Sequence, residues 1–275
     1  TSSPAAIAVA DYDNDNVDEL FMGSIDGFSI YDLATESVEW EPPSPLTVPN
    51  SFATRQADMN GDSHADLVGL TQSGHVEIFD VHAQSLIWRS TLPTHRTASG
   101  FALSDLDNDG EPEIVVVLQD RIIIYGRGLM TFVERASIPY QNAAAVAVAD
   151  LDGDSEQEIY VLNYPQTNVD SILNVFDADL QLLRSVDLGV TATALFVENS
   201  AFARKNLLLG VTGEIFTSPG YSELWAIDPI TGADVWRSPP LVGAVSRDSL
   251  YFVDVDGDGD DEISFGNTYG MYHTR

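Results

Sequence analysis

A nine-residue frame of alternating carboxylates recurs five times along this 275-residue chain, and it limits the possible folds more than any other feature. Its copies run from Asp11 to Glu19, Asp58 to Asp66, Asp105 to Glu113, Asp150 to Glu158 and Asp254 to Glu262. The intervals between their first aspartates are 47, 47, 45 and 104 residues, the last being close to two ordinary periods. A further copy is therefore expected in the gap. The stretch Phe196 to Gly210 keeps the apolar flanks and final glycine, with Glu198 in the first slot but Ser200, Phe202 and Asn206 in the later ones. It reads as a repeat without an ion. A period of this length marks units that cannot bury their apolar faces alone and must stack on their neighbours.

The flanks of each loop are strand-like. Short apolar stretches precede it, as at Ala5 to Ala10, Gly100 to Ser104 and Ala143 to Ala149. Others follow it, at Glu19 to Gly23, Leu67 to Leu70, Ile114 to Leu118 and Ile159 to Leu162. Runs of this length, rich in β-branched residues and bounded by turn formers, predict buried strands. A second hairpin closes each unit, between Ile30 and Trp40, Ile78 and Trp88, and Trp225 and Trp236. No segment carries helical start and stop signals with a 3.6-residue period. Four strands per repeat of 40 to 50 residues predict an all-β fold, a β-propeller of four-stranded antiparallel blades. The expected blades are approximately 1–48, 49–96, 97–140, 141–189, 190–244 and 245–275 within one propeller domain, the last blade incomplete. Six repeats are counted, six or seven blades if further sequence completes the ring, and the chain is expected to be a piece of a longer polypeptide. Trp40, Trp88 and Trp236 fall at matching places and are expected to pack between neighbouring blades.

The loops carry the chemistry. Calcium takes six to eight oxygens at ~2.3–2.6 Å, and oxygen is what these loops offer. Side chains at positions one, three and five of a tight turn converge on one point, position seven can add a backbone carbonyl, and position nine a further carboxylate. Small residues at positions four and six let the turn close, and Gly61, Gly110, Gly153, Gly257 and Gly259 stand there. An EF-hand begins with the same alternation but needs glutamate at position twelve and flanking helices. Position twelve is Met22, Gly69, Val116, Val161 and Phe265, so that reading fails in every copy. Magnesium suits the loops less, because it demands strict octahedral geometry and retains its waters.

Charge supports a cation. The chain has 43 Asp plus Glu against 12 Lys plus Arg, a formal net charge of −31, and 24 of the acidic residues lie in the five loops. Like charges packed that closely repel, and a divalent ion in each loop relieves them. Five such ions would bring the charge to −21. The same balance argues against nucleic acid and against an anionic membrane surface, since the chain has a single lysine, Lys205, and no basic stripe. Cysteine is absent, which removes disulfides, zinc thiolates and a thiol nucleophile. No apolar run is long enough to span a bilayer, and Thr1 to Pro4 has no signal-peptide character.

The loops, the apolar strand ends Phe21-Met22-Gly23 and Leu67-Val68-Gly69, and the spacing resemble the FG-GAP and VCBS repeat family, whose members include integrin α-subunit propellers and bacterial adhesin, lectin and lyase modules. The resemblance implies about five calcium ions. Their side-chain ligands would be Asp11, Asp13, Asp15 and Glu19; Asp58, Asn60, Asp62 and Asp66; Asp105, Asp107, Asp109 and Glu113; Asp150, Asp152, Asp154 and Glu158; and Asp254, Asp256, Asp258 and Glu262. The backbone carbonyls of Val17, His64, Glu111, Glu156 and Asp260 would complete the sets. The family usually ends its loop in aspartate, whereas four loops here end in glutamate, and the fifth repeat lacks the frame. The segment Leu224 to Gly232 with Trp236 is also similar to the repeat of quinoprotein propellers, an echo of shared blade geometry.

The function expected from this reading is a non-catalytic, calcium-binding, extracellular adhesion or ligand-binding module. Calcium would clamp the loop between the first two strands of five blades. The partner is a protein or glycan, and the location is secreted, on the cell surface or in the periplasm, where calcium is abundant. The segments Pro42 to Asn50 and Tyr164 to Ser171 are candidate ligand loops. A lectin, or an accessory or catalytic propeller of a polysaccharide-active enzyme, is the alternative. The histidines His64, His75, His82, His95 and His273 fall in no catalytic arrangement, and no nucleophile elbow or phosphate-binding glycine loop occurs.

Overall fold

The computed structural model describes residues 6–12, 15, 17–24, 27–40, 54–70, 75–91, 98–163, 170–197, 207–212, 221–243, 245–253, 255–256, 262–267 and 270–274. All regular structure among them is β, and no helix is long and apolar enough to cross a membrane. The strands form six antiparallel sheets, each from one contiguous stretch of chain and ordered as the chain runs except for one short strand that returns to the middle of its sheet.

Two compact units divide the chain, Thr1–Ile138 and Pro139–Arg275. The first holds β1 (Ala6–Ala10), β2 (Glu19–Ser24), β3 (Gly27–Asp32) and β4 (Ser37–Trp40); then β5 (Thr54–Ala57), β6 (Asp66–Leu70), β7 (Val76–Asp80) and β8 (Ser85–Arg89); then β9 (Ala98–Ser104), β10 (Glu113–Leu118), β11 (Arg121–Arg127) and β12 (Phe132–Pro139). The second unit holds β13 (Ala143–Ala149), β14 (Glu158–Asn163), β15 (Ile172–Phe176) and β16 (Leu182–Asp187), followed by a five-stranded sheet of β17 (Ala192–Val197), β18 (Leu207–Thr212), β19 (Tyr221–Ile227), β20 (Asp234–Arg237) and the short β21 (Leu241–Val242). Its last sheet has β22 (Val245–Val253), β23 (Glu262–Asn267) and β24 (Gly270–Thr274) among the described residues. The sequence-expected stretches before and after each loop are these first and second strands.

Burial explains the composition of the strands. The second and third strands of a sheet are covered on both faces, so β10 and β14 are apolar runs instead of alternating ones. The fourth strands β12 and β16 meet solvent on one face and alternate accordingly. The hairpins carrying the tryptophans repeat one detail, a register shift beside the pairs Ile30↔Trp40, Ile78↔Trp88 and Ala226↔Trp236. Such bulges sharpen twist and re-aim the side chains that follow.

The cores lie between successive sheets. Tyr12, Phe21 and Ile30 pack with Leu67, Phe79 and Val81 of the next sheet, with Trp40 against them. Trp88 packs on Tyr125 and Phe132 of the following sheet, ring centroids 5.2 and 5.4 Å away. Trp236 lies against Leu224, Ala226, Ile263 and Phe265. The expected packing of tryptophan between neighbours holds in all three places. Each buried aromatic or aliphatic side chain in these seams contributes roughly 1.5–3 kcal/mol. First strands of consecutive sheets are neighbours, β1 with β5 and β5 with β9 in the first unit, β13 with β17 and β17 with β22 in the second.

Candidate metal centres

Among the described residues, four loops between first and second strands are wound by their own carboxylates. In the second copy, Asp58 Oδ1 accepts from the amides of Gly61 and Asp62 at 2.6 and 3.2 Å, and its Oδ2 from Ser63 at 2.8 Å. In the third, Asp105 accepts from the amides of Asp109 and Gly110 at 3.0 and 2.9 Å. In the fourth, Asp150 accepts from those of Gly153 and Ser155 at 2.6 and 3.1 Å. Asp11 accepts from Asp15 N–H at 3.1 Å in the first. The fifth-position aspartates Asp15, Asp62, Asp109 and Asp154 accept from the amides of Val17, His64, Glu111 and Glu156 at 2.7 to 2.9 Å. Turns this tight need left-handed backbone at positions four and six. Gly61 and Ser63, Asn108 and Gly110, Gly153 and Ser155 all have φ between 58 and 89°. Serine and asparagine tolerate that region at a cost that glycine avoids.

The ninth position follows one rule. Glu19, Asp66, Glu113 and Glu158 are buried at the start of the second strand, and one oxygen of each accepts from the amide of the loop's second residue. The donors are Tyr12, Met59, Leu106 and Leu151, at 2.7, 2.8, 2.9 and 3.4 Å. Aspartate and glutamate thus reach the same donor, which answers the departure from the family's usual ending. The second oxygen stands out in two of the four. In Asp66 it is buried without a hydrogen-bond partner, and so is Glu113 Oε1.

A buried carboxylate oxygen without a donor carries a desolvation cost that a proton or a cation relieves. The carboxyl groups register this. Burial pushes Asp66 up to about 7, helped by the charges of Asp80, Asp62 and Asp58. Burial also raises Glu113 and Glu158. At the solvent-facing rim, the His64 amide holds Asp62 below the usual aspartate range.

Two loops bring three ligand oxygens together: one atom each from Asp105, Asp107 and Glu113, and one each from Asp150, Asp152 and Glu158, lie within 4.8 Å of one another. The floor is buried and the remaining ligands face outward, the donor set that a hard divalent cation takes. The residues present therefore fit calcium on this chain's own geometry. In the first loop Asp11, Asp15, Val17 and Glu19 are among the described residues, and Asp13 lies outside them. Asp254, Asp258 and Asp260 lie outside them as well, leaving an exposed Asp256 and the backbone of Glu262 at the head of β23. Glu198 to Asn206 and most of both candidate ligand loops are also outside the described residues.

One participant was not foreseen. Arg135, on β12, donates from Nη1 to Asp107 Oδ2 at 2.6 Å, and that nitrogen stands 2.9 Å from Glu113 Oε1. Its Nη2 lies 3.8 Å from Asp109 Oδ2. Arg127 donates to Glu111 in the same loop at 3.1 Å. The sequence held a signal for this. Opposite the ninth residue, four repeats place an aspartate at or beside the end of the third strand, in Ile30-Tyr31-Asp32, Ile78-Phe79-Asp80, Val175-Phe176-Asp177 and Ala226-Ile227-Asp228, whereas the third has Ile124-Tyr125-Gly126.

Contiguous antiparallel sheets, mostly four-stranded and packed on a neighbour through Trp40, Trp88 and Trp236 in three of them, define the chain as a β-propeller protein. Residues 58–116 match the family described as FG-GAP-like repeat, covering the second and third loops. Solved structures agree on the fold. BBS1N, crystallised in complex with ARL6DN and soaked with lead, is 14% identical with a TM-score of 0.68, covering 99% of this chain and 79% of that one. A chain of the Mitotic Checkpoint Complex crystal structure is 14% identical with a TM-score of 0.64, over 98% of this chain and 75% of that one. No curated protein matches the chain.

Proposed function

We propose that the chain is a non-catalytic calcium-binding propeller that serves as an adhesion or ligand-binding module outside the cytosol, with about five ions clamping first to second strands. The observation that carries the reading is the buried second oxygen of the ninth carboxylate, unpartnered in Asp66 and aligned with no donor in Glu113. In the third and fourth loops the ninth carboxylate offers an oxygen within 4.8 Å of others from positions one and three. The ion would be held by the ligand sets named above. It would supply positive charge where three or four carboxylates are expected to converge, and its work is structural.

A calcium-rich exterior suits sites of this kind, and a net charge that stays strongly negative after loading keeps the module soluble. Support for a protein ligand comes from the neighbours, since BBS1N is described in complex with ARL6DN. The test is to count bound calcium by titration calorimetry and to melt the protein with and without chelator. Several ions per chain and a melting point many degrees lower in chelator are expected, because ions that bind only the folded state stabilise it by mass action. Identical melting in both conditions, with no calcium heat, would sink the proposal.

A further inference from the structure

The third loop already holds a cation supplied by its own sheet. The Arg135 guanidinium reaches Asp107, Asp109 and Glu113, three of the carboxylates on which a metal would sit. It gets there by lying flat on Gly126, where a Cβ would fall inside the van der Waals radii of its Nε, Cδ and Cζ. Four of the other described third strands, β3, β7, β15 and β19, end at or beside an aspartate that does different work. The Asp32, Asp80, Asp177 and Asp228 carboxylates each accept backbone amides of the following turn. The third repeat has given up that turn cap, and the vacated space is where Arg135 passes. Two changes, glycine for aspartate and an arginine on the outer strand, serve one contact.

We propose that Arg135 is the resident counter-cation of the third loop, and that calcium enters this loop only by displacing it. The guanidinium is an incomplete substitute for an ion. It hydrogen-bonds Asp107 but meets the buried Glu113 Oε1 without hydrogen-bond alignment, leaving that oxygen for a better ligand. Planar donors arranged in a fork cannot converge on a point as six to eight oxygens do around calcium. The third blade therefore keeps its loop closed at low calcium, while its site binds calcium more weakly than it would without the arginine. The displacement half of this proposal rests on calcium being the ion the loops take.

Two variants test it on the full chain. Arg135→Gln removes the charge, and Gly126→Ala expels the side chain without altering any charged residue. Both are expected to melt lower than the parent in chelator, by roughly 3 °C or more. The gap should narrow in saturating calcium, and one calcium site should tighten by about tenfold, the scale of one lost ion-pair competitor. An arginine that merely packs would lower melting equally in both conditions and leave calcium affinity alone, and that result overturns the proposal. Should the parent bind no calcium, the functional reading fails by itself. A third variant in chelator then still decides whether Arg135 is the counter-cation: a loss in Arg135→Gln that Arg135→Lys largely restores supports it, and an equal loss in both refutes it.

Discussion

Asp66→Asn is expected to change stability with opposite sign in chelator and in calcium. Asparagine keeps an oxygen for the Met59 amide, so the loop's internal bond survives. It removes the charge that burial and the neighbouring aspartates oppose, a group whose pKa rises from 3.8 to about 7. At 1.36 kcal/mol per pH unit, the ionised carboxylate costs the metal-free fold at most about 4 kcal/mol above neutral pH. Relieving part of that cost should raise the melting point of the chelated protein by several degrees. In calcium the same change deletes a ligand. Losing a site filled at a hundredfold excess over its dissociation constant costs ~2.7 kcal/mol, roughly a 5 °C fall for a chain of this size. Differential scanning calorimetry at pH 8, with chelator and with millimolar calcium, reads both arms. A variant that destabilises equally in the two buffers would refute the reasoning, because it would mean that Asp66 acts through packing and not through charge.

The pH dependence of the metal-free protein follows from the same groups. Asp66, Glu113 and Glu158 are raised in the fold, so the folded state holds protons that the unfolded chain releases. The Asp66 contribution is fully present below about pH 4 and lost as pH rises to about 7, Glu113 and Glu158 act in the same direction, and denaturant titrations in chelator should show stability falling over that window. Saturating calcium should flatten the curve. Ser155→Gly should stabilise the fourth loop by about 1 kcal/mol in either buffer, because φ is 76° there, as a shift in the urea midpoint would show. Phe79→Ala, in the seam shared with Tyr12 and Phe21, should cost about 3–5 kcal/mol irrespective of calcium.

The strands and loops were legible because their physics is local. Positions one, three and five of a turn can be read from spacing, left-handed positions from Gly61, Gly110 and Gly153, and buried strands from runs such as Ile114 to Leu118. Positions filled by Ser63, Asn108 and Ser155 show the same backbone without the glycine that announces it. The ninth carboxylate's divided role was not legible, since its bond to the second residue exists only after the hairpin closes. Arg135 acts 28 residues from Asp107, and nothing in a basic residue on an outer strand says which loop it meets. Gly126 was the available clue, visible only when third strands are aligned. His64 and His82 stack with centroids 3.9 Å apart across the second sheet, a pairing that sequence separation conceals.

The strands β17 and β18 pair along their length although the segment joining them carries no carboxylate frame. Hydrogen-bonded ladder and ion cradle are thus separable parts, and the nine-residue insert behaves as a cassette. An engineer could therefore replace the joining segment with Asp150 to Glu158 and ask whether the ladder beneath it forms unchanged.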